Sequence, residues 1–219
     1  MKRLYIFDFD GTLVDTFTDA GIYYNKALEK YGFPAHSLEE YKYLMGGSLE
    51  EVVTRILPEN ARNEKNIDNV KNEYWSTYPN SEKKNTLPYP GITELLKSLQ
   101  KMKIKLAINT NKKQLLVEEM CQSLFPDIRF DCIAGSSINY PPKPDPSGVR
   151  YILEKCQTLK EDSIYIGDSK YDFETAKNIG IDAILVKWGA YKEEYECHKK
   201  VKYIADKPDD IIIFNNIMN

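Results

Sequence analysis

The sequence predicts an α/β fold: a parallel β-sheet covered by helices on both faces, with an all-helical insertion near its start. Three observations predict it. A short apolar run at residues 4–7 ends in Asp8-Phe9-Asp10-Gly11-Thr12-Leu13. From about residue 88 onward, apolar runs of strand length alternate with helical segments, as in strands joined by crossover helices. Between the two, residues 16 to about 80 carry helical periodicity and nothing that alternates as a strand does. The first strand therefore belongs with the later units. Residues 1–15 and 83–219 form the core, and residues 16–82 the inserted helical domain.

Each element has a local cause. Residues 4–7 are large or β-branched and read as a buried strand. Ala20, Tyr23, Tyr24, Ala27, Leu28 and Tyr31 form one amphipathic helical face closed by Gly32. Ser37-Leu38-Glu39-Glu40 and Ser48-Leu49-Glu50-Glu51 both fit a capping box, which predicts two short helices separated by Gly46-Gly47. A fourth helix runs from near Arg62 to Tyr78 and stops at Pro79. After Pro88-Tyr89-Pro90-Gly91, helices are expected at 92–102, 113–124, 147–156 and 173–179. Strands are expected at 104–108, 131–134, 163–166 and 183–187. Right-handed crossovers bring the strand C-termini to one edge, where such sheets bind ligands. An insertion springing from that edge suits a lid.

Bulk properties exclude several classes. The 219 residues are 42% hydrophobic and 29% charged with a net charge of -3, the profile of a globular protein. The one dense basic patch, His198-Lys199-Lys200 with Lys202, reads as a solvated face, so no nucleic-acid partner is expected. The first apolar run stops at Asp8, too short for a signal peptide, and no stretch reaches membrane-span length. Cys121, Cys132, Cys156 and Cys197 show no CxxC or zinc spacing, which suits reduced thiols in a cytoplasmic protein. His36 and His198 sit in polar surroundings and read as surface residues, leaving little for a histidine relay.

Four strand ends carry chemistry. Asp8 and Asp10 are two apart on extended chain, so both lean to one face, and Gly11 and Thr12 follow. They suit a nucleophile and a proton donor, or else a solvated turn. Asn109-Thr110-Asn111-Lys112 offers a hydroxyl and an amide to a phosphate oxygen, or else an N-cap. Pro141-Pro142-Lys143-Pro144-Asp145-Pro146 holds one lysine in a stiff loop, as a fixed ammonium or as a surface connector. Gly167-Asp168-Ser169-Lys170-Tyr171-Asp172 offers hard oxygen ligands, with a helix cap as the rival reading for Asp172. Together Asp8, Asp10, Asp168 and Asp172 crowd about four negative charges that Lys143 alone does not balance. A divalent cation, Mg²⁺, is therefore expected.

Asp8-Phe9-Asp10-Gly11-Thr12, Thr110, Lys143 and Gly167-Asp168-Ser169-x-x-Asp172 resemble the four motifs of the haloacid dehalogenase superfamily of phosphohydrolases. The insertion is similar to that superfamily's helical C1 cap, and the core to its Rossmann-like sheet. Tyr89-Pro90-Gly91, Thr110-Asn111-Lys112 and Lys143-Pro144-x-Pro146 resemble the phosphoglycolate phosphatase-like branch. The resemblance implies hydrolysis of a small phosphorylated metabolite, 2-phosphoglycolate being one candidate, through an aspartyl-phosphate. It implies Asp8 as nucleophile and Asp10 as acid, then base. Thr110, Asn111, Gly11 and Thr12 would sit on the phosphoryl group, with Lys143 as neutralising charge. Mg²⁺ would lie on Asp8, the Asp10 carbonyl and Asp168, and Ser169 and Asp172 would support the site. Mg²⁺ and Lys143 would lower the pKa of Asp8, and the crowded carboxylates would raise that of Asp10. A β-phosphoglucomutase-type mutase, a pyrophosphatase or a 5′-nucleotidase would share these motifs. A non-catalytic binding protein is disfavoured because every motif residue is present. The 16 tyrosines read as packing residues of the insertion and core.

Overall fold

The computed structural model describes residues 2–137 and 140–217. In chain order the elements are β1 (Leu4–Phe7), β2 (Val14–Asp15), α1 (Phe17–Lys30), α2 (Tyr41–Leu44), α3 (Leu49–Ile56), α4 (Glu64–Thr77) and β3 (Leu87–Pro88). Next come α5 (Ile92–Lys101), β4 (Lys105–Lys113), α6 (Gln114–Leu124), β5 (Cys132–Ser136), α7 (Ser147–Lys155) and β6 (Ser163–Gly167). The last are α8 (Lys170–Ile179), β7 (Asp182–Val186), β8 (Val201–Ala205) and α9 (Asp209–Ile217). The chain divides into two compact units, residues 1–14 with 88–219, and residues 15–87.

The first unit is the expected α/β sheet. Its six strands run in the order β5-β4-β1-β6-β7-β8, all parallel. β1 is central: the chain lays β4 and β5 on one side of it and β6, β7 and β8 on the other. Strand order therefore reverses beside the end of β1, where doubly wound sheets open a crevice. Leu4 and Ile6 share one face with Val149 and Ile152 of α7 and Phe173 and Ala176 of α8. Tyr5 and Phe7 point to the other face and are equally buried, which is why β1 is apolar throughout. α5 and α9 pack against each other, α5 on β4 and α9 on β8.

The second unit is a bundle in which α1 packs on α4 and α2, and α3 on α4. Tyr24 stacks on Tyr74 with ring centroids 3.9 Å apart and also faces Tyr41. Gly21 makes room for this layer, since a Cβ there would lie 2.6 Å from the Tyr41 ring. The paired strands β2 and β3 mark where the chain leaves the first unit and returns to it.

Some elements differ from the sequence reading. The capping box forms at Ser48, with Glu51 N donating to Ser48 Oγ and Ser48 N to Glu51 Oε2. At Ser37 it does not: Ser37 N and Oγ both donate to Glu40 Oε2, and the Glu40 N–H donates to Ser37 O (3.2 Å) instead of the hydroxyl. Residues 38–40 form a turn, and α2 starts only at Tyr41. β4 continues past Ile108 to Lys113. β8 and α9 had no counterpart in the reading. Both histidines are half-buried: His36 Nε2 lies 2.8 Å from the Ile56 carbonyl oxygen, and His198 Nε2 3.3 Å from Glu174.

Within the second unit, buried Asp19 accepts from Asn85 N (2.8 Å), Asn85 Nδ2 (2.8 Å) and Thr86 Oγ1 (2.7 Å). It ties the start of α1 to the chain end of that unit. Asp19→Ala leaves these donors without their acceptor and should lower stability by roughly 2–4 kcal/mol in urea unfolding. A loss below about 0.5 kcal/mol, the size of an ordinary surface change, would contradict this role.

Candidate functional site

The site grows from the end of β1. Asp8 N still donates to Ile166 O of β6 (2.9 Å), so Asp8 is the last residue held by the ladder. Its Oδ1 accepts from Phe9 N at 2.7 Å. The chain then turns tightly: Leu13 N and Val14 N both donate to Phe9 O, and Gly11 takes a φ of 81° that an L side chain rarely adopts. Phe9 and Leu13 are buried under the turn and fix it.

β4 supplies the second wall through an irregularity. Asn109 pairs with Ala134 and Lys113 with Ser136, so residues 110–112 stand opposite the single residue Gly135. Such a bulge takes side chains out of the ladder and re-aims them. Thr110 Oγ1 accepts from Lys112 N (3.2 Å). Asn111 Oδ1 accepts from Lys143 N (2.6 Å), tying the bulge to the proline-rich loop. The Lys112 ammonium lies 3.0 Å from Asp10 Oδ1, its side chain only 7% exposed.

Lys143 is buried, not a surface connector. Its Nζ lies 2.7 Å from Asp8 Oδ1 and 2.7 Å from Asp172 Oδ1. Burial raises the pKa of the Tyr165 phenol, and the Lys143 charge pulls it down against that burial. Tyr165 OH donates in turn to Asn109 O and Oδ1, 3.0 Å from each. Asp172 forms the helix cap that was its rival reading, and it also meets Lys143. Its Oδ2 accepts from Ser169 N (3.0 Å) and Ser169 Oγ (2.7 Å) at the start of α8, while Oδ1 faces Lys143. Asp168 Oδ1 accepts from Thr12 Oγ1 (3.1 Å) and Oδ2 from Ala190 N (2.6 Å). Trp188 Nε1 donates to Thr12 O (2.9 Å). A Cβ at Gly189 would overlap the Gly11 carbonyl oxygen and Asp168 Oδ2, so only glycine lets this strand end approach so closely.

All ten residues singled out in the sequence thus lie in one unit, around the ends of β1, β4 and β6. Lys112, Tyr165, Trp188, Gly189 and Ala190 join them and were not singled out as site residues. Lys112 had a signal, since it closes the Asn109–Lys112 motif at a strand end. Trp188-Gly189-Ala190 follows β7 just as the other motifs follow their strands.

The electrostatics are strained by like charge. Asp8, Asp168 and Asp172 each offer a carboxylate oxygen, all within 4.8 Å of one another, and all three side chains are buried. Burial, then Asp172, push the Asp8 carboxyl well above its ordinary range, and Lys143 offsets this only in part. The expected lowering of Asp8 by Lys143 is therefore present but outweighed. Burial and Asp172 push Asp168 up to about 7, against the Ala190 N–H, Lys143 and Thr12. Burial pulls the Lys143 ammonium down, yet Asp172 and Asp8 outweigh it and raise its pKa well above the ordinary value. Asp8 and Asp168 offer hard oxygen donors while Asp172 is turned to Lys143 and Ser169, and three buried carboxylates around one buried ammonium leave room for a divalent cation.

The family described as haloacid dehalogenase-like hydrolase matches residues 5–186. A phosphoglycolate phosphatase of Pseudomonas syringae pv. tomato is 29% identical over 197 residues, covering 86% of this chain and 71% of its own length. One from Aquifex aeolicus is 28% identical over 214 residues, covering 96% and 95% respectively. A crystal structure of a candidate phosphoglycolate phosphatase from Lactobacillus delbrueckii subsp. bulgaricus superposes with a TM-score of 0.89. It is 28% identical and covers 96% of this chain and 97% of that one.

The raised pKa of Asp168 gives a signed expectation for the metal-free protein. Its folded-state pKa exceeds its unfolded value, so the neutral form is favoured by folding. That contribution is present below about pH 4 and is lost as pH rises towards 7. Asp168→Asn cannot ionise. In chelator at pH 8 it should be more stable than the parent by roughly 1–4 kcal/mol, with the gap closing near pH 4. A variant less stable than the parent at pH 8 would contradict this.

Proposed function

The chain belongs to the haloacid dehalogenase-like hydrolase family, and on that premise we propose that it is a Mg²⁺-dependent phosphatase of small phosphorylated metabolites, 2-phosphoglycolate foremost. The observation that carries the proposal is Lys143 between Asp8 and Asp172, 2.7 Å from each, beside a buried cluster of carboxylates. A buried cation held against a strand-end carboxylate suits a nucleophile whose target is itself anionic. The substrate named is that of the phosphatases to which the chain is similar.

In this reading an Asp8 carboxylate oxygen attacks phosphorus, forming the Asp8–phosphorus ester and breaking the bond to the leaving oxygen. Asp10 gives that oxygen its proton. It then takes a proton from water, which attacks the aspartyl-phosphate and releases phosphate. Thr110 and the Asn111 backbone hold the phosphoryl oxygens, and the Gly11–Thr12 turn shapes their seat. Lys143 supplies fixed positive charge, and Asp172, braced by Ser169, fixes its direction. Mg²⁺ would be held by Asp8, Asp168 and the Asp10 carbonyl, where it would supply the charge that matches the phosphoryl oxygens. The helical unit is the cap domain in this reading.

Phosphate release from 2-phosphoglycolate, hexose phosphates, nucleoside monophosphates and pyrophosphate tests the assignment. Release should require Mg²⁺, stop in chelator, and fall by about 10³-fold or more in Asp8→Asn with the fold retained. Activity of Asp8→Asn within tenfold of the parent would overturn Asp8 as nucleophile.

A further inference from the structure

Lys112 is a nearly buried ammonium that the roles above do not use. The bulge of β4 carries it there, two backbone positions beyond Thr110. It lies 3.0 Å from Asp10 Oδ1, and Asp10 is the more open of the two, with 22% of its side chain exposed against 7%. Lys143, the neighbouring buried cation, is engaged by Asp8 and Asp172. In the proposed reaction Asp10 meets the oxygen that leaves phosphorus. A group paired with Asp10 then stands within reach of the first atoms of the leaving alcohol. A cation in that place favours an alcohol that bears an anion close to its hydroxyl.

We infer that Lys112 is the specificity-determining residue of this site: it binds an anionic group, a carboxylate, on the carbon next to the ester oxygen of the substrate. The inference rests on the phosphatase reading above and narrows its substrate class to phosphate esters of short hydroxy acids. Physically, a substrate with the matching group gains a charge-assisted hydrogen bond to a nearly buried ammonium that a substrate without it cannot make. The carboxylate of 2-phosphoglycolate stands one carbon from its ester oxygen, within reach of a group that touches Asp10. Asn111 and Thr110 make the placement rigid, because the bulge that presents Lys112 is bonded at Lys143 N and at Lys112 N.

Two substrates of equal length separate this role from simple support of Asp10: 2-phosphoglycolate and 2-hydroxyethyl phosphate, which replaces the carboxylate by a neutral hydroxymethyl group. The parent should prefer 2-phosphoglycolate in kcat/KM. Lys112→Met should reduce that preference at least about tenfold, chiefly through KM for 2-phosphoglycolate, and Lys112→Arg should keep most of it. Thermal unfolding of each variant separates loss of selectivity from loss of fold. Equal loss on both substrates in Lys112→Met would overturn the inference and leave Lys112 as a positioning residue for Asp10. A parent that hydrolyses both equally would overturn it too, while leaving the phosphatase reading intact. A parent that hydrolyses neither, nor any other phosphate ester, would overturn the phosphatase reading and the inference with it.

Discussion

Mutual repulsion among buried carboxylates is the constraint around which this site is organised. Asp8, Asp168 and Asp172 approach within 4.8 Å in a buried setting, and Asp10 stands close by on the same turn. At such separations like charges repel by kilocalories per mole, more as water is excluded. Each acid therefore has compensating donors. Asp8 has Phe9 N and Lys143, Asp10 has Lys112, Asp168 has Thr12 and Ala190 N, and Asp172 has Ser169 and Lys143. The donors come from the turn after β1, β4, the loop before α7, the start of α8 and the turn after β7. Assembly of the site thus depends on the whole sheet edge.

The sheet makes that convergence possible. Parallel strands all end at one edge, and the reversal of strand order around β1 opens that edge beside Asp8. Two glycines set how closely the pieces approach. A side chain on Gly167 would collide with Asp172, and one on Gly189 with Asp168 and the Gly11 carbonyl. Packing of the backbone and placement of charge are therefore one problem, solved by the same residues.

Most of this could be read from the chain because each strand end carries its chemistry locally. Short apolar runs placed β1, β4, β5, β6 and β7, and the motifs lie in or beyond the ends of those runs, the lysine loop just before α7. What escaped has a physical cause. β8 follows a basic, aromatic segment with Lys199 and Lys200, and Lys202 within it breaks its apolar pattern. The Ser37 box failed because a hydroxyl and an amide chose the same carboxylate, a choice that composition does not reveal. Tyr165 read as an ordinary core residue, for nothing in its own strand shows that the phenol bonds Asn109 of β4. Lys112 looked like the end of a phosphate motif, and only the two extra residues of the bulge turn it towards Asp10. Pairings between distant segments are the part of a site that a linear pattern holds least well.

The central claim is that the carboxylate cluster is short of positive charge and that a divalent cation completes it. Calorimetric titration of Mg²⁺ into the substrate-free protein at pH 8, beside Asp168→Asn, measures this most directly. The expected result is saturable binding of one Mg²⁺ per chain, weakened at least about tenfold in the variant, where one hard oxygen donor and its charge are gone. No binding to the parent at millimolar Mg²⁺, or equal binding by parent and variant, would contradict the claim.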